Sequence, residues 1–188
     1  FLPMLGLGQA VGILVGQRLG ANQPQQAEAV VWLGLRWMLA YMGLIATLYV
    51  TCPTLLVAAF APAEETAAAR FAEAAHLVPG LLLGVALYSL ADAANVTFAA
   101  ALRGAGDTRF VAGVTFGLAW PVMVLPTASI VLQSQQWQQK GLGEPLYAAW
   151  ASATLYIILM ALCLWARFAA GLWKQMRVIE PGPEAPRR

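Results

Sequence analysis

LVPGLLLGVALYSLADAANVTFAAAL, residues 77–102, runs for 26 residues with a single charge, Asp92. At about 1.5 Å per residue, a helix of this length covers the roughly 30 Å hydrocarbon core of a bilayer. A barrel strand would need only about 10 residues of alternating polarity, and this block does not alternate. Lipid offers the backbone no hydrogen-bond partners, so a helix is the structure that satisfies it. Four further apolar blocks accompany it, over residues 1–19, 37–60, 110–132 and 146–168. The expected fold is all-α, an integral membrane protein of five transmembrane helices within residues 1–172.

Composition agrees. Of 188 residues, 60% are hydrophobic and 11% charged, with mean hydropathy +0.67, whereas soluble domains have about 45–50% and about 25%. Disordered, coiled-coil and disulfide-scaffold classes are excluded. A net charge of +2 gives no reason to expect a nucleic-acid partner. Cys52 and Cys163 lie inside apolar blocks, far apart, and read as small packing residues. The chain opens on Phe1 within an apolar block, without Met or a basic leader, which suggests a fragment.

Charge distribution sets the expected orientation. Arg18 and Arg36 fall to the first loop, Arg103 and Arg109 to the third, and Arg167, Lys174, Arg177, Arg187 and Arg188 to the tail. Only Arg70 and Lys140 lie in the other two loops, where Glu64, Glu65 and Glu73 crowd. Nine against two places the first loop, the third loop and the carboxyl terminus in the cytoplasm. Trp37, Trp137 and Trp173 lie near span ends, where indoles favour the headgroup layer. Residues 173–188 read as a basic, proline-rich cytoplasmic tail expected to be disordered, with Lys174 and Arg177 able to touch anionic lipid.

Chemistry-bearing residues are few. Gly8, Gly12, Gly16 and Gly20 recur every fourth position, a stripe that lets helices approach closely. The spacing of Gly6, Gly8 and Gly12 does not fit a dinucleotide fingerprint. Gln9 lies deeper than Gln17 and, with Trp120 beside Pro121, is a candidate for a substrate-facing cavity. Asp92 stands 11 residues before Arg103, about 16 Å deep at helical rise. An ionised carboxylate there costs about 2.5–3.5 kcal/mol on insertion scales. Tyr88, Ser89 and Asn95 lie on the same helical face, making an oxygen-rich niche for Na⁺ or H⁺; the competing reading is a protonated Asp92 bonded across helices for packing. Pro53, Pro79, Pro121 and Pro126 are either hinges or prolines that lipid-embedded helices tolerate. His76 reads as interfacial. No nucleophile–base pair, HExxH, P-loop or Cys/His cluster appears, so neither an enzyme, an ATP-driven motor nor a bound cofactor is expected, and transport would draw on an ion gradient.

Residues 87–109, LYSLADAANVTFAAALRGAGDTR, resemble the tenth span and following loop of the multidrug and toxic compound extrusion (MATE) family, with an acidic residue in the span and an LRGxxDTR-like loop. Residues 3–27, with GQRLGA, are similar to the family's eighth span and its exit, and Trp120, Pro121 and Pro126 look like its eleventh. The resemblance implies most of one six-helix lobe of a twelve-helix antiporter, which exports organic cations in exchange for Na⁺ or H⁺. It implies that Asp92 is the lobe's coupling carboxylate and Tyr88 the tyrosine one turn earlier. It further implies a missing amino-terminal lobe as partner, small organic cations as substrates and a bacterial inner membrane around the protein. Arg103, Gly104, Gly106, Asp107 and Arg109 would form a structural turn, Asp107 pairing with Arg103 or Arg109. A lipid-linked oligosaccharide flippase of the same superfamily, a non-transporting scaffold subunit and a membrane-embedded hydrolase are the alternatives. The flippase would want basic residues deep in a cavity, the scaffold no midplane acid, and the hydrolase a nucleophile–base pair or a metal cluster.

Overall fold

The computed structural model describes residues 1–59, 71, 75, 77–134 and 145–176. Among them the secondary structure is helical throughout: α1 Leu2–Gly20, α2 Pro24–Thr51, α3 Pro53–Ala59, α4 Val78–Gly104, α5 Thr108–Leu118, α6 Leu125–Leu132 and α7 Pro145–Ala169. A π-helical segment, Ala119–Val124, joins α5 to α6, and a 3₁₀ turn, Leu172–Gln175, follows α7. The expectations for Phe60, Glu64, Glu65, Arg70, Glu73, His76, Trp137, Lys140, Arg177 and residues 181–188 lie outside the described residues.

Among the described residues four helices, α1 not among them, are long and apolar enough to cross a membrane by length and composition: Pro24–Thr51, Val78–Gly104, Thr108–Leu132 and Pro145–Ala169. Although α1 has 19 residues, Gln9, Gln17 and Arg18 keep it out of that set. The second block also differs from the sequence reading. Its helix starts at Pro24, well before residue 37, and breaks at Cys52 before Pro53 opens α3. Arg36 is therefore helical rather than in a loop. At about 42 Å, α2 outruns the hydrocarbon layer.

Proline placement explains several boundaries. Pro24, Pro53 and Pro145 are first residues of helices, and Pro79 lies in the first turn of α4. The missing N–H costs nothing there, so Pro53 and Pro79 do not disturb a helix interior. Pro121 and Pro126 do interrupt the Thr108–Leu132 run, Pro121 within the wider π-helical coil and Pro126 two residues after it.

Helix α4 is central, packing on α1, α2 and α7. Gly8, Gly12 and Gly16 make the α1–α4 contact. A methyl on Gly12 would lie 3.1 Å from the Ala100 carbonyl oxygen, and one on Gly16 3.1 Å from that of Gly104. Gly20 meets nothing within 4 Å, so the stripe packs over three of its four positions. Side chains larger than hydrogen would push the backbones apart and forfeit the dispersion contacts on which association in lipid depends.

Two tight turns gather helix ends. After α1, the Asn22 N–H bonds the Leu19 carbonyl and Gln23 that of Arg18, with Asn22 at φ 58°. After α4, Gly106 bonds Arg103 and Asp107 bonds Leu102, with Gly106 at φ 92°. Both are Schellman closures, which require a residue tolerant of left-handed backbone at that point. The same end carries an aromatic cluster. Trp32 meets Phe98 and Phe168 edge-on at 6.1 and 6.0 Å, and Phe168 stacks on Trp173 at 4.9 Å. Trp173 is only 1% exposed and its indole N–H donates to the Phe168 carbonyl. It is thus a core residue rather than a headgroup anchor or the start of a loose tail. Gly171, at φ 72°, turns the chain back so that the ring reaches the interior. Lys174 pairs with Glu28 of α2 at 2.6 Å instead of standing free for lipid.

Candidate functional site

Asp92 is 4% exposed on the inward side of α4. Its Oδ1 accepts a hydrogen bond from Asn95 Nδ2 at 3.0 Å. The i, i+3 spacing sets the two side chains one above the other. Asn95, itself 8% exposed, keeps its Oδ1 buried and without a partner among the described residues. A carboxylate and an orphan amide oxygen thus share one buried niche. Electron-rich oxygens without donors are what a desolvated monovalent cation takes as ligands, and a proton on the carboxylate would equally relieve the charge.

Ser89 is buried on the same helix, but its hydroxyl donates back to the Val85 carbonyl at 2.7 Å rather than to Asp92. Most hydroxyls in these helices do the same, including Thr97, Thr115 and Thr154, because the i−4 carbonyl is the acceptor within reach in lipid. Ser89 therefore offers Asp92 at most lone pairs. Tyr88 is half-buried, its ring edge-on to Trp150 of α7 at 6.4 Å. It also packs against the buried cluster that contains Tyr156 of α7. The sequence reading overlooked Trp150 and Tyr156, which in the sequence do not stand out from the other aromatics of α7, Tyr147, Trp165 and Phe168.

Gln9 and Trp120 do not join this niche. Both are exposed, Trp120 to 59%, at the outer surface of the described residues. Neither lines the two cavities beside α4, of about 340 and 330 Å³. Among the described residues no group of three His, Cys, Asp or Glu could hold a metal ion.

The loop of Arg103, Gly104, Gly106, Asp107 and Arg109 is a compact turn with a different ion pair from the one expected. Asp107 Oδ2 accepts from Arg167 Nε at 2.7 Å, across to the end of α7. Arg103 instead donates to the Ala99 carbonyl, and Arg109 is exposed. The physical reason is direction: Asp107 stands at the N-cap of α5, buried to 7% exposure, so its carboxylate points inward, whereas Arg109 lies on the exposed side. Arg167 also lies over the Phe110 ring at 4.8 Å.

Comparison with known proteins places the chain. A probable multidrug resistance protein NorM of Mannheimia succiniciproducens is 34% identical over 131 residues, which is 70% of this chain and 26% of that protein. Another NorM, of Deinococcus radiodurans, is 30% identical over 168 residues, 89% of this chain and 35% of that protein. Multidrug resistance protein PmpM of Pseudomonas aeruginosa is 30% identical over 122 residues, 65% of this chain and 24% of that protein. The chain thus spans about a quarter to a third of the length of these relatives. No solved structure matches it. The family model for MatE matches residues 1–127, a stretch that takes in the α1–α4 glycine contact, Asp92 and the Asp107 turn. The chain belongs to the MatE family.

Proposed function

We propose that this chain is part of a secondary-active exporter that moves organic cations and drugs outward in exchange for Na⁺ or H⁺. Asp92 is the charge that the coupling ion and the drug neutralise in turn. The observation that carries this reading is Asp92 itself, buried in a 27-residue apolar helix beside the unpartnered Asn95 oxygen. An uncompensated carboxylate at this depth is costly, so its free energy changes sharply when a cation or proton arrives. A ligand shifts a conformational equilibrium only by its differential affinity for the two states, and this niche supplies that difference. The relatives are named multidrug resistance proteins, which supports a drug as cargo. The remaining lobe of the protein is the partner that completes the translocation path. The arginine-rich helix ends face the cytoplasm under the positive-inside rule, and the surrounding bilayer is a bacterial inner membrane.

The test is Asp92→Asn in the intact gene product, assayed in everted membrane vesicles with a fluorescent cationic dye. Gradient-driven efflux should fall at least about tenfold, a loss of about 1.4 kcal/mol or more of coupling, with membrane insertion unchanged. Efflux equal to that of the unaltered protein refutes the role. Imposing a pH gradient without Na⁺, then a Na⁺ gradient with an uncoupler present, identifies the ion.

A further inference from the structure

Two cavities run end to end along the seam between α4 and α7. The one nearer the arginine-rich end, about 340 Å³, is walled by Trp32 and Leu35 of α2, Ala94 and Phe98 of α4, and Trp165 of α7. The second, about 330 Å³, continues past Leu87 to Gly84 and Gly80. Ile158 borders both. On α4 the lining positions advance in steps of four and three, so they share one face, and Gly80 to Phe98 spans about 27 Å along the axis. The small side chains at 80, 84, 91 and 94 make the groove, which is as long as the hydrocarbon layer is thick.

The mouth at the arginine-rich end has the chemistry of a lipid headgroup region. Trp32 and Trp165 stand there partly exposed, at 39% and 47%, as indoles do at the bilayer interface. Arg36 follows Trp32 by one turn on the same side of α2 and is exposed. Arg109 is exposed as well, but the other basic residues at this end are engaged: Arg167 with Asp107, Lys174 with Glu28, Arg18 with Gln23 and Arg103 with a backbone carbonyl. Arg36 has no acidic partner among the described residues. A guanidinium left unpaired beside an apolar slot complements a molecule with a phosphate at one end and a hydrocarbon chain at the other.

We infer that this groove binds an anionic phospholipid from the leaflet on the arginine-rich side, one acyl chain lying along α4 between α2 and α7 and the phosphate held by Arg36. The lipid chain fills a face that would otherwise be a row of voids between helices, and the charge gives it preference over zwitterionic lipids. Neither Asp92 nor Asn95 lines this groove, which borders their niche at Trp150.

Native mass spectrometry of the intact protein, titrated with dioleoyl phosphatidylglycerol and dioleoyl phosphatidylcholine, tests it. The unaltered protein should hold phosphatidylglycerol about fivefold more tightly, the effect of one basic residue at a membrane surface. Arg36→Gln, an exposed substitution that leaves packing intact, should bring that ratio close to one. Ala94→Leu fills the slot and should weaken both lipids, with a thermal unfolding curve reporting whether the variant is folded; if it is not, the Arg36→Gln ratio decides. Equal affinity for the two lipids in the unaltered protein, or a preference that survives Arg36→Gln, overturns the inference. Retention of neither lipid by the unaltered protein would assign the groove to another helix, and overturns it too.

Discussion

Gly104→Ala probes the closest approach of two backbones in the structure. The new methyl would lie 2.9 Å from the Gly12 carbonyl carbon and 3.0 Å from Gly12 Cα, and nearer still to the carbonyl oxygen. All three are backbone atoms, so no side chain can rotate away and α1 itself must move. Carbon pairs are comfortable at about 3.5–4.0 Å, so α1 must retreat by roughly 0.5–1 Å, which forfeits about a quarter to a half of the dispersion energy at the contact. Overpacking of this kind costs about 1–3 kcal/mol, and a backbone collision belongs at the upper end. Replacing Gly by Ala in a helix returns at most about 1 kcal/mol, leaving a net loss of about 1–2 kcal/mol. Gly113→Ala is the control, because a methyl there meets nothing within 4 Å; it should be neutral or gain up to about 1 kcal/mol. Thermal unfolding of the intact protein in detergent should then separate the two variants by about 2–12 °C, at roughly 2–4 °C per kcal/mol. If Gly104→Ala melts at or above Gly113→Ala, the α1–α4 contact does not have the tightness described and the glycine stripe has another purpose.

Removing either partner of the Asp107–Arg167 pair, 8% and 26% exposed at their side chains, should destabilise by about 1.5–3 kcal/mol. A double-mutant cycle of Asp107→Asn and Arg167→Gln, read by thermal unfolding, should return a coupling of at least about 0.5 kcal/mol; strict additivity would mean the two side chains do not cooperate. Trp173→Ala should cost about 3–5 kcal/mol, and near-ultraviolet circular dichroism should lose the signal of the aromatic cluster. A near-ultraviolet spectrum altered only by the absence of one exposed indole would contradict its burial.

What the sequence made legible was whatever depends on local order along the chain. Long apolar blocks dictate helices because lipid leaves no other outlet for the backbone, and Asp92 stands out because no charge within ten residues shares its block. Gly8, Gly12 and Gly16 announced a close contact by their spacing alone, though not that α4 would supply it. Features decided by direction in space were illegible. Asp107 has two arginines within four residues, yet its inward-facing position selects Arg167, sixty residues on. Trp173 follows the last apolar block like an interfacial anchor, and only the left-handed Gly171 reverses its direction. Pro121 and Pro126 marked a disturbance without specifying a π-helical turn, since proline breaks the ladder but the neighbouring packing chooses how it is repaired.

The burial of Trp173 also has a consequence in time. Trp32, Phe98 and Phe168 close around a residue that the ribosome adds about 140 positions after the first of them. At about 5–20 residues per second that interval is roughly 7–30 s. For the last part of it, from Gly104 onward and roughly 3–14 s long, α2 and α4 have already been made while the centre of their shared aromatic cluster does not yet exist. The arginine-rich end of the bundle must therefore wait, partly open, for its final turn, and any quality-control factor that senses unpacked aromatic surface has that window in which to act.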